Sequence, residues 1–149
     1  MVVEEVFEDI IYPQLKEYVE NNNSYNAKVT KAYPQTSKVF PIIPIKLLPI
    51  TNQYNNLTYG EETYSFGIDI EVYAIDTTDV VMTKKISRKT VCDDLTKLIV
   101  EYLKSTYHLT IKVRHDVPNE DTNVYRNLIR VNGTLGTKYG DDNLVIYPW

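Results

Sequence analysis

The chain has 149 residues, 43% of them hydrophobic and 24% charged, which predicts a single globular domain spanning 1–149 with a core of its own. Its net charge of −4 disfavours a dedicated nucleic-acid binder, which normally carries a basic excess. The lone Cys92 rules out an internal disulfide, and we expect neither a signal peptide at the acidic N-terminus nor a bilayer-spanning apolar run.

The first predicted element is a helix over residues 3–20, because apolar residues recur there at intervals of three and four. Pro13 lies inside this pattern and would remove one helical hydrogen bond, so we expect a kink or two short helices meeting at Tyr12. A short strand is predicted over 27–33. Residues 39–50 also favour a strand, but their prolines predict an edge, a bulge or strand ends. Residues 52–60 read as a polar loop.

A long strand is predicted over residues 63–75. Every even position is apolar or aromatic, and most odd positions are small or polar, which is the period of a strand with one dry face. Thirteen extended residues would span roughly 43 Å, whereas a typical strand has about 5–6 residues. A strand of this length would outrun a small core, and its overhang would then need a partner. The sequence therefore raises the possibility of assembly with other chains before any question of catalysis.

The remaining pattern completes an α+β fold. Residues 76–85 read as a turn, residues 87–105 as a second helix with Thr90 and Asp93 as a weak capping signal, and residues 108–115, 124–135 and 144–147 as strands. We therefore predict a mostly antiparallel β-sheet with two main helices packed on one face. The even face of the long strand should lie under the helices.

The sequence offers no convincing catalytic, cofactor or metal site. His108 and His115 are seven residues apart on one predicted strand and would point to opposite faces. Cys92 lies on the apolar stripe of the second helix and reads as a buried core residue. The acidic loops around Asp116 and Asp141 lack calcium-loop spacing. We expect no enzyme activity and no cofactor.

Two groups of charged residues are candidates for a subunit-contact or lumen surface. Asp69, Glu71 and Tyr73 share the polar face of the long strand, where a solvated face or an intersubunit ion pair is the preferred interpretation. Lys84, Lys85 and Arg88 belong to the densest basic cluster, which could meet phosphates or an acidic neighbour, although a solvated loop is the commoner explanation.

Three segments together resemble the tail terminator proteins of long-tailed bacteriophages, also called tail completion or tail-to-head joining proteins. The segments are Phe-Pro-Ile-Ile-Pro-Ile at 40–45, the acidic start and alternating strand at 62–75, and the polar loop at 119–126 that enters a strand through Tyr-Arg. The order of elements agrees over nearly the whole chain.

The resemblance implies a structural virion protein, made in the host cytoplasm, that caps the finished tail tube as a homo-oligomeric ring, usually a hexamer. Its partners would be the tail tube protein and the head-completion or connector protein, with no membrane. Genome DNA would pass through the lumen without specific binding, which a negative chain would suit. Three alternatives stay open: a head-completion or neck protein on the connector, a small non-catalytic binding module, and an RNA-binding ferredoxin-like domain.

Overall fold

The computed structural model describes residues 3–31, 39–49, 51–56, 61–79, 81, 83–107, 109–138 and 141–148. The chain opens with α1 (Val3–Val6), a π-helical turn (Phe7–Ile11) and α2 (Tyr12–Asn22). α2 begins at Tyr12, where the sequence predicts a kink or a junction of two short helices, but the backbone stays helical through Ile11 and Tyr12, so the irregularity is a π-helical turn rather than a break. Pro13 lies in the first turn of α2, directly after this turn, in which the Tyr12 N–H donates to the Phe7 carbonyl.

The described residues after α2 form nine strands and one long helix, which confirms the α+β prediction. In chain order these are β1 (Lys28–Thr30), β2 (Ile42–Leu47), β3 (Thr51–Asn56), β4 (Glu61–Ala74), β5 (Thr77–Thr78), β6 (Lys85–Ile86), α3 (Arg88–Thr106), β7 (Thr110–Arg114), β8 (Tyr125–Lys138) and β9 (Asp141–Pro148). Ser87 caps α3 by accepting the Thr90 N–H, so the cap lies three residues before the one that the sequence indicated.

The centre of the sheet is an antiparallel pair of 14-residue strands, β4 and β8. The main sheet order is β1-β2-β4-β8-β7, with β1 parallel to β2 and the other pairs antiparallel. β5 and β6 form a separate two-stranded hairpin. The long strand is confirmed, beginning at Glu61 rather than at residue 63.

The overhang of the long strand is paired within the chain. β3 pairs with the first residues of β4, and β9 pairs with the last residues of β8. The prediction of a polar loop over 52–60 is therefore wrong for the part up to Asn56, and residues 57–60 lie outside the described residues. Backbone hydrogen bonding to β4 forms this strand, although asparagine has a low strand propensity.

One core joins the even face of β4 to the helices, as predicted. Its buried members include Phe66, Ile68, Ile70, Val72 and Ala74 of β4, Leu15 and Val19 of α2, and Leu95, Ile99 and Leu103 of α3. Each of these side chains is at most 2% exposed. The helices thus cover one face of the sheet and leave the face with the odd residues of β4 without a helix.

β2 is an inner strand despite its proline. It lies between β1 and β4, so the expected edge position is wrong. Pro44 has no N–H to donate, and the Cα pairing of β2 with β4 passes from Ile42 to Ile45. The buried Ile43 and Ile45 hold the strand in the core.

Candidate subunit-contact surface

The face of the sheet opposite the helices carries three of the six candidate residues, Asp69, Glu71 and Tyr73. Strand register places the odd residues of β4 beside the even residues of β2, β7 and β8 on this face. We call it the open face and define it by its charged side chains and one tyrosine: Lys46, Asp69, Glu71, Tyr73, Lys112, Arg114, Arg126 and Arg130.

Asp69 is held by a neighbour on β8. Its two carboxylate oxygens accept from Arg130 Nε at 2.8 Å and from Arg130 Nη2 at 3.0 Å, and the two residues are paired in the strand register. This fork geometry fixes both side chains. Lys46 lies opposite Asp69 on the other side, in β2. Asp69 is therefore engaged within its own chain.

Glu71 and Tyr73 form a second fixed group on the open face. Glu71 accepts from the Tyr73 hydroxyl and from Arg126 Nη2, and Arg126 Nη1 donates to the Pro118 carbonyl at 3.3 Å. Tyr73 is only 7% exposed because it packs in a small cluster with Ile42 and Val124. These contacts tie the loop before β8 to the sheet.

The open face is basic although the whole chain is acidic. Among the side chains that the structure describes on this face, five cationic ones outnumber two carboxylates, Asp69 and Glu71. Lys46, Lys112 and Arg114 are exposed, and in the part of the chain that the structure describes no carboxylate lies within 4.0 Å of any of them. Asp69 and Glu71, the two acidic residues that the sequence pointed to, are thus each paired with an arginine within a basic surface.

Lys84, Lys85 and Arg88 form a separate group that the structure does not bring to the open face. They lie at β6 and at the start of α3, which packs on the opposite face. Asp76 accepts the Arg88 backbone N–H at 2.7 Å and pairs with Lys85 Nζ at 3.3 Å and Arg88 Nη1 at 3.8 Å. The backbone hydrogen bond from Arg88, aided by Lys85, lowers the pKa of Asp76. Lys84 is exposed.

A cleft of about 530 Å³ opens beside this group. Its lining is mixed in charge, with Asp76 and Asp116 facing Arg88 and Lys89, and Val124 and Tyr125 supply its largest apolar surfaces. Small-molecule sites are lined mainly by apolar side chains with a few convergent polar groups. This cleft has the reverse composition, so it gives little support to a small-molecule module.

A group of buried polar side chains connects α3 to β8, and no pattern in the sequence had indicated it. Asn127 is fully buried and its Nδ2 donates to Asp93 Oδ1 and to Thr96 Oγ1, both at 3.0 Å. Its Oδ1 accepts the Asp116 N–H at 3.1 Å. Desolvation alone would raise the pKa of Asp93, but hydrogen bonds from Lys89, Asn127 and His115 outweigh it and lower that pKa.

Cys92 is a core residue, as predicted. It is 0% exposed, and its Sγ–H donates to the Val72 carbonyl at 3.2 Å. Burial raises the pKa of its thiol to about 12, so the reactive thiolate is scarce near neutral pH. His115 lies exposed beside Asp93, with Nδ1 3.2 Å from Oδ1, and His108 lies outside the described residues.

Compared with models of known protein families and with curated protein sequences, this chain matches none of them. Among the described residues no group of three or more His, Cys, Asp or Glu side chains is placed to hold a metal ion. No helix in the described ranges is long and apolar enough to cross a membrane. The function is therefore inferred from the geometry of the surfaces.

Proposed function

We propose that this protein is a non-catalytic structural subunit that forms a ring on the end of a bacteriophage tail tube and joins the tail to the head connector. The observation that carries the proposal is the open face: the side of the sheet that no described helix covers, built on two 14-residue strands, with Asp69 and Glu71 each paired to an arginine of the neighbouring strand. A broad, rigid, charged sheet surface suits contact with another protein subunit.

The ionisable groups support a structural role over a catalytic one. General acids and bases need pKa values shifted toward the working pH. In the described part of the chain, each resolved pKa shift moves away from neutrality: Asp76 and Asp93 downward, and Lys31, Lys89, Arg130, Cys92 and three tyrosines upward. These groups keep one protonation state near neutral pH, as fixed contacts do.

The open face argues against the RNA-binding alternative. Strand-borne recognition of single-stranded RNA stacks bases on exposed aromatic side chains. Tyr73 is 7% exposed and packs against Val124, and Phe66 is 2% exposed beneath the helices. Neither ring is available for stacking.

The test is assembly on tail tubes. The purified protein, a 17.3 kDa chain, is incubated with polymerised tube protein from the same genome, and negative-stain microscopy scores rings at tube ends. We expect end-bound rings, with a mass of about 104 kDa if six copies close. Preferential pull-down of the connector protein would favour the head-completion alternative. Failure to bind either partner would overturn the proposal.

A further inference from the structure

The helix side of the molecule carries an acidic stripe that complements the open face. Glu4, Glu5, Glu8 and Asp9 are all exposed and fall within one side of α1 and the π-helical turn, whose other side buries Val6, Phe7 and Ile11 in the core. Lys31 pairs with Glu8. Three carboxylates of the stripe have no cationic partner within 4.0 Å among the described residues.

The open face carries an excess of positive charge that matches the negative charge of the stripe. Asp69 and Glu71 engage Arg130 and Arg126, which leaves the exposed Lys46, Lys112 and Arg114 as three cations without a described carboxylate in contact. Lys112 and Arg114 lie on β7, the outer strand beside β8. The two surfaces therefore have equal and opposite uncompensated charge.

The two surfaces lie on opposite sides of the same chain and cannot meet within one molecule. The stripe belongs to the layer that packs on the even face of β4, and the open face is the other side of that sheet. Two different, complementary patches on one chain define a heterologous interface, which joins copies head to tail and closes into a ring when the rotation permits.

We propose that the open face of one copy binds the acidic stripe of the next copy. The inference rests on the proposed ring for its closure and names the surfaces that build it. A second copy is the favoured occupant over DNA, because the chain itself supplies the complementary charge and its net charge of −4 repels a polyanion at distance.

Charge reversal on each surface tests the pairing. Lys112→Glu with Arg114→Glu makes the open face acidic, and Glu5→Lys with Asp9→Lys makes the stripe basic. Each of these variants then presents two like-charged surfaces and should stay monomeric. An equimolar mixture of the two variants should assemble in alternation, and a single chain carrying all four changes should assemble by itself.

The controls separate specific pairing from net charge and from misfolding. Lys97→Glu with Lys104→Glu changes net charge as the open-face variant does, but on the exposed side of α3, and should assemble like wild type. Circular dichroism checks the fold of every variant. Raising salt from about 0.1 M to about 1 M shortens the Debye length from about 10 Å to about 3 Å and should weaken wild-type association at least about tenfold.

Mass photometry and sedimentation, with and without tail tubes, decide the outcome. If wild type forms rings in solution or on tubes and neither reversal affects them, the interface is wrong and the proposed function stands. If folded reversed variants are not rescued by mixing, the pairing is also wrong. Binding of a short DNA duplex that only the open-face variant loses, with self-association unchanged, would make DNA the occupant. If wild type neither self-associates nor binds tubes, both proposals fail.

Discussion

Removing the side chain of the buried Asn127 should destabilise the protein more than an asparagine-to-alanine change at a surface position. Asn127 is fully buried and makes three hydrogen bonds, to Asp93, Thr96 and the Asp116 N–H. Through the bonds to Asp93 and Thr96, Asn127 connects β8 to α3. Asn127→Ala deletes all three bonds and leaves the Asp116 N–H without this acceptor.

The expected loss in the free energy of unfolding follows from the hydrogen-bond partners of Asn127. A neutral hydrogen bond contributes about 1 kcal/mol net, and the bond to Asp93 is discounted to a similar value because Asp93 keeps Lys89 and His115 as partners. The expected loss is therefore about 3 kcal/mol. For a chain of this length, about 2–4 °C in melting temperature accompanies each kcal/mol, so the midpoint should fall by about 6–12 °C.

The assay is urea unfolding followed by circular dichroism, with Asn22→Ala as the matched control. Asn22 is exposed and donates one hydrogen bond, to the Tyr18 carbonyl, so its replacement should cost below about 0.5 kcal/mol. A double-mutant cycle with Thr96→Val should show a coupling energy near 1 kcal/mol. If Asn127→Ala costs no more than the control, this group of buried polar side chains does not stabilise the packing of α3 on β8.

Three further predictions follow from single sites. Cys92 should resist a thiol-reactive disulfide reagent at neutral pH and react only as the protein unfolds in urea, because burial raises its pKa to about 12; rapid labelling of the folded protein would contradict this burial. Gly133→Ala should cost about 1–3 kcal/mol in thermal unfolding and more than Gly67→Ala, since its new Cβ would lie 2.5 Å from Leu109 Cδ2 whereas the nearest contact at Gly67 is 3.0 Å; equal costs would contradict the crowding. The folded-state pKa of Asp93 lies below its ordinary 3.8, so the stability that its carboxylate contributes is present above pH 3.8 and is lost as pH falls through the folded pKa. The free energy of unfolding of the Asp93→Asn variant should therefore fall less than that of wild type between about pH 5 and pH 2. Parallel curves of unfolding free energy against pH would refute this linkage.

The parts of the fold that follow from periodicity could be predicted from the sequence. The alternation along β4 and the apolar stripe of α3 each bury one side of a regular element, so their spacing carries the signal. The helical irregularity next to Tyr12 followed from the covalent geometry of Pro13. In these cases the physical cause, burial of one side of an element or the restricted backbone of proline, is visible in the residue pattern itself.

Features that depend on partners distant in sequence could not be predicted. β3 is a polar segment that becomes a strand because β4 offers unpaired backbone groups, and a propensity reading of the segment alone gives a loop. Asn127 is a polar residue at a buried position of β8, and its partner Asp93 is 34 residues away. The arginine that neutralises Asp69 is 61 residues away, so an acidic face in the sequence is a basic one in the fold.

The length of β4 has a different meaning after the pairing of its overhang is known. An unpaired overhang would have required a neighbouring chain for its backbone hydrogen bonds, but β3 and β8 supply those bonds within the molecule, and β9 in turn pairs with the end of β8. Length alone therefore no longer argues for assembly. Side chains favour assembly instead. The paired overhang widens the sheet on the side without a described helix, and that side displays the cations Lys46, Lys112 and Arg114. The acidic stripe on the other side of the molecule carries, among the described residues, an unpaired charge of the same size and opposite sign. An interface of this kind is selected by charge, so salt and charge reversal should control it more strongly than substitutions at the ends of the strands.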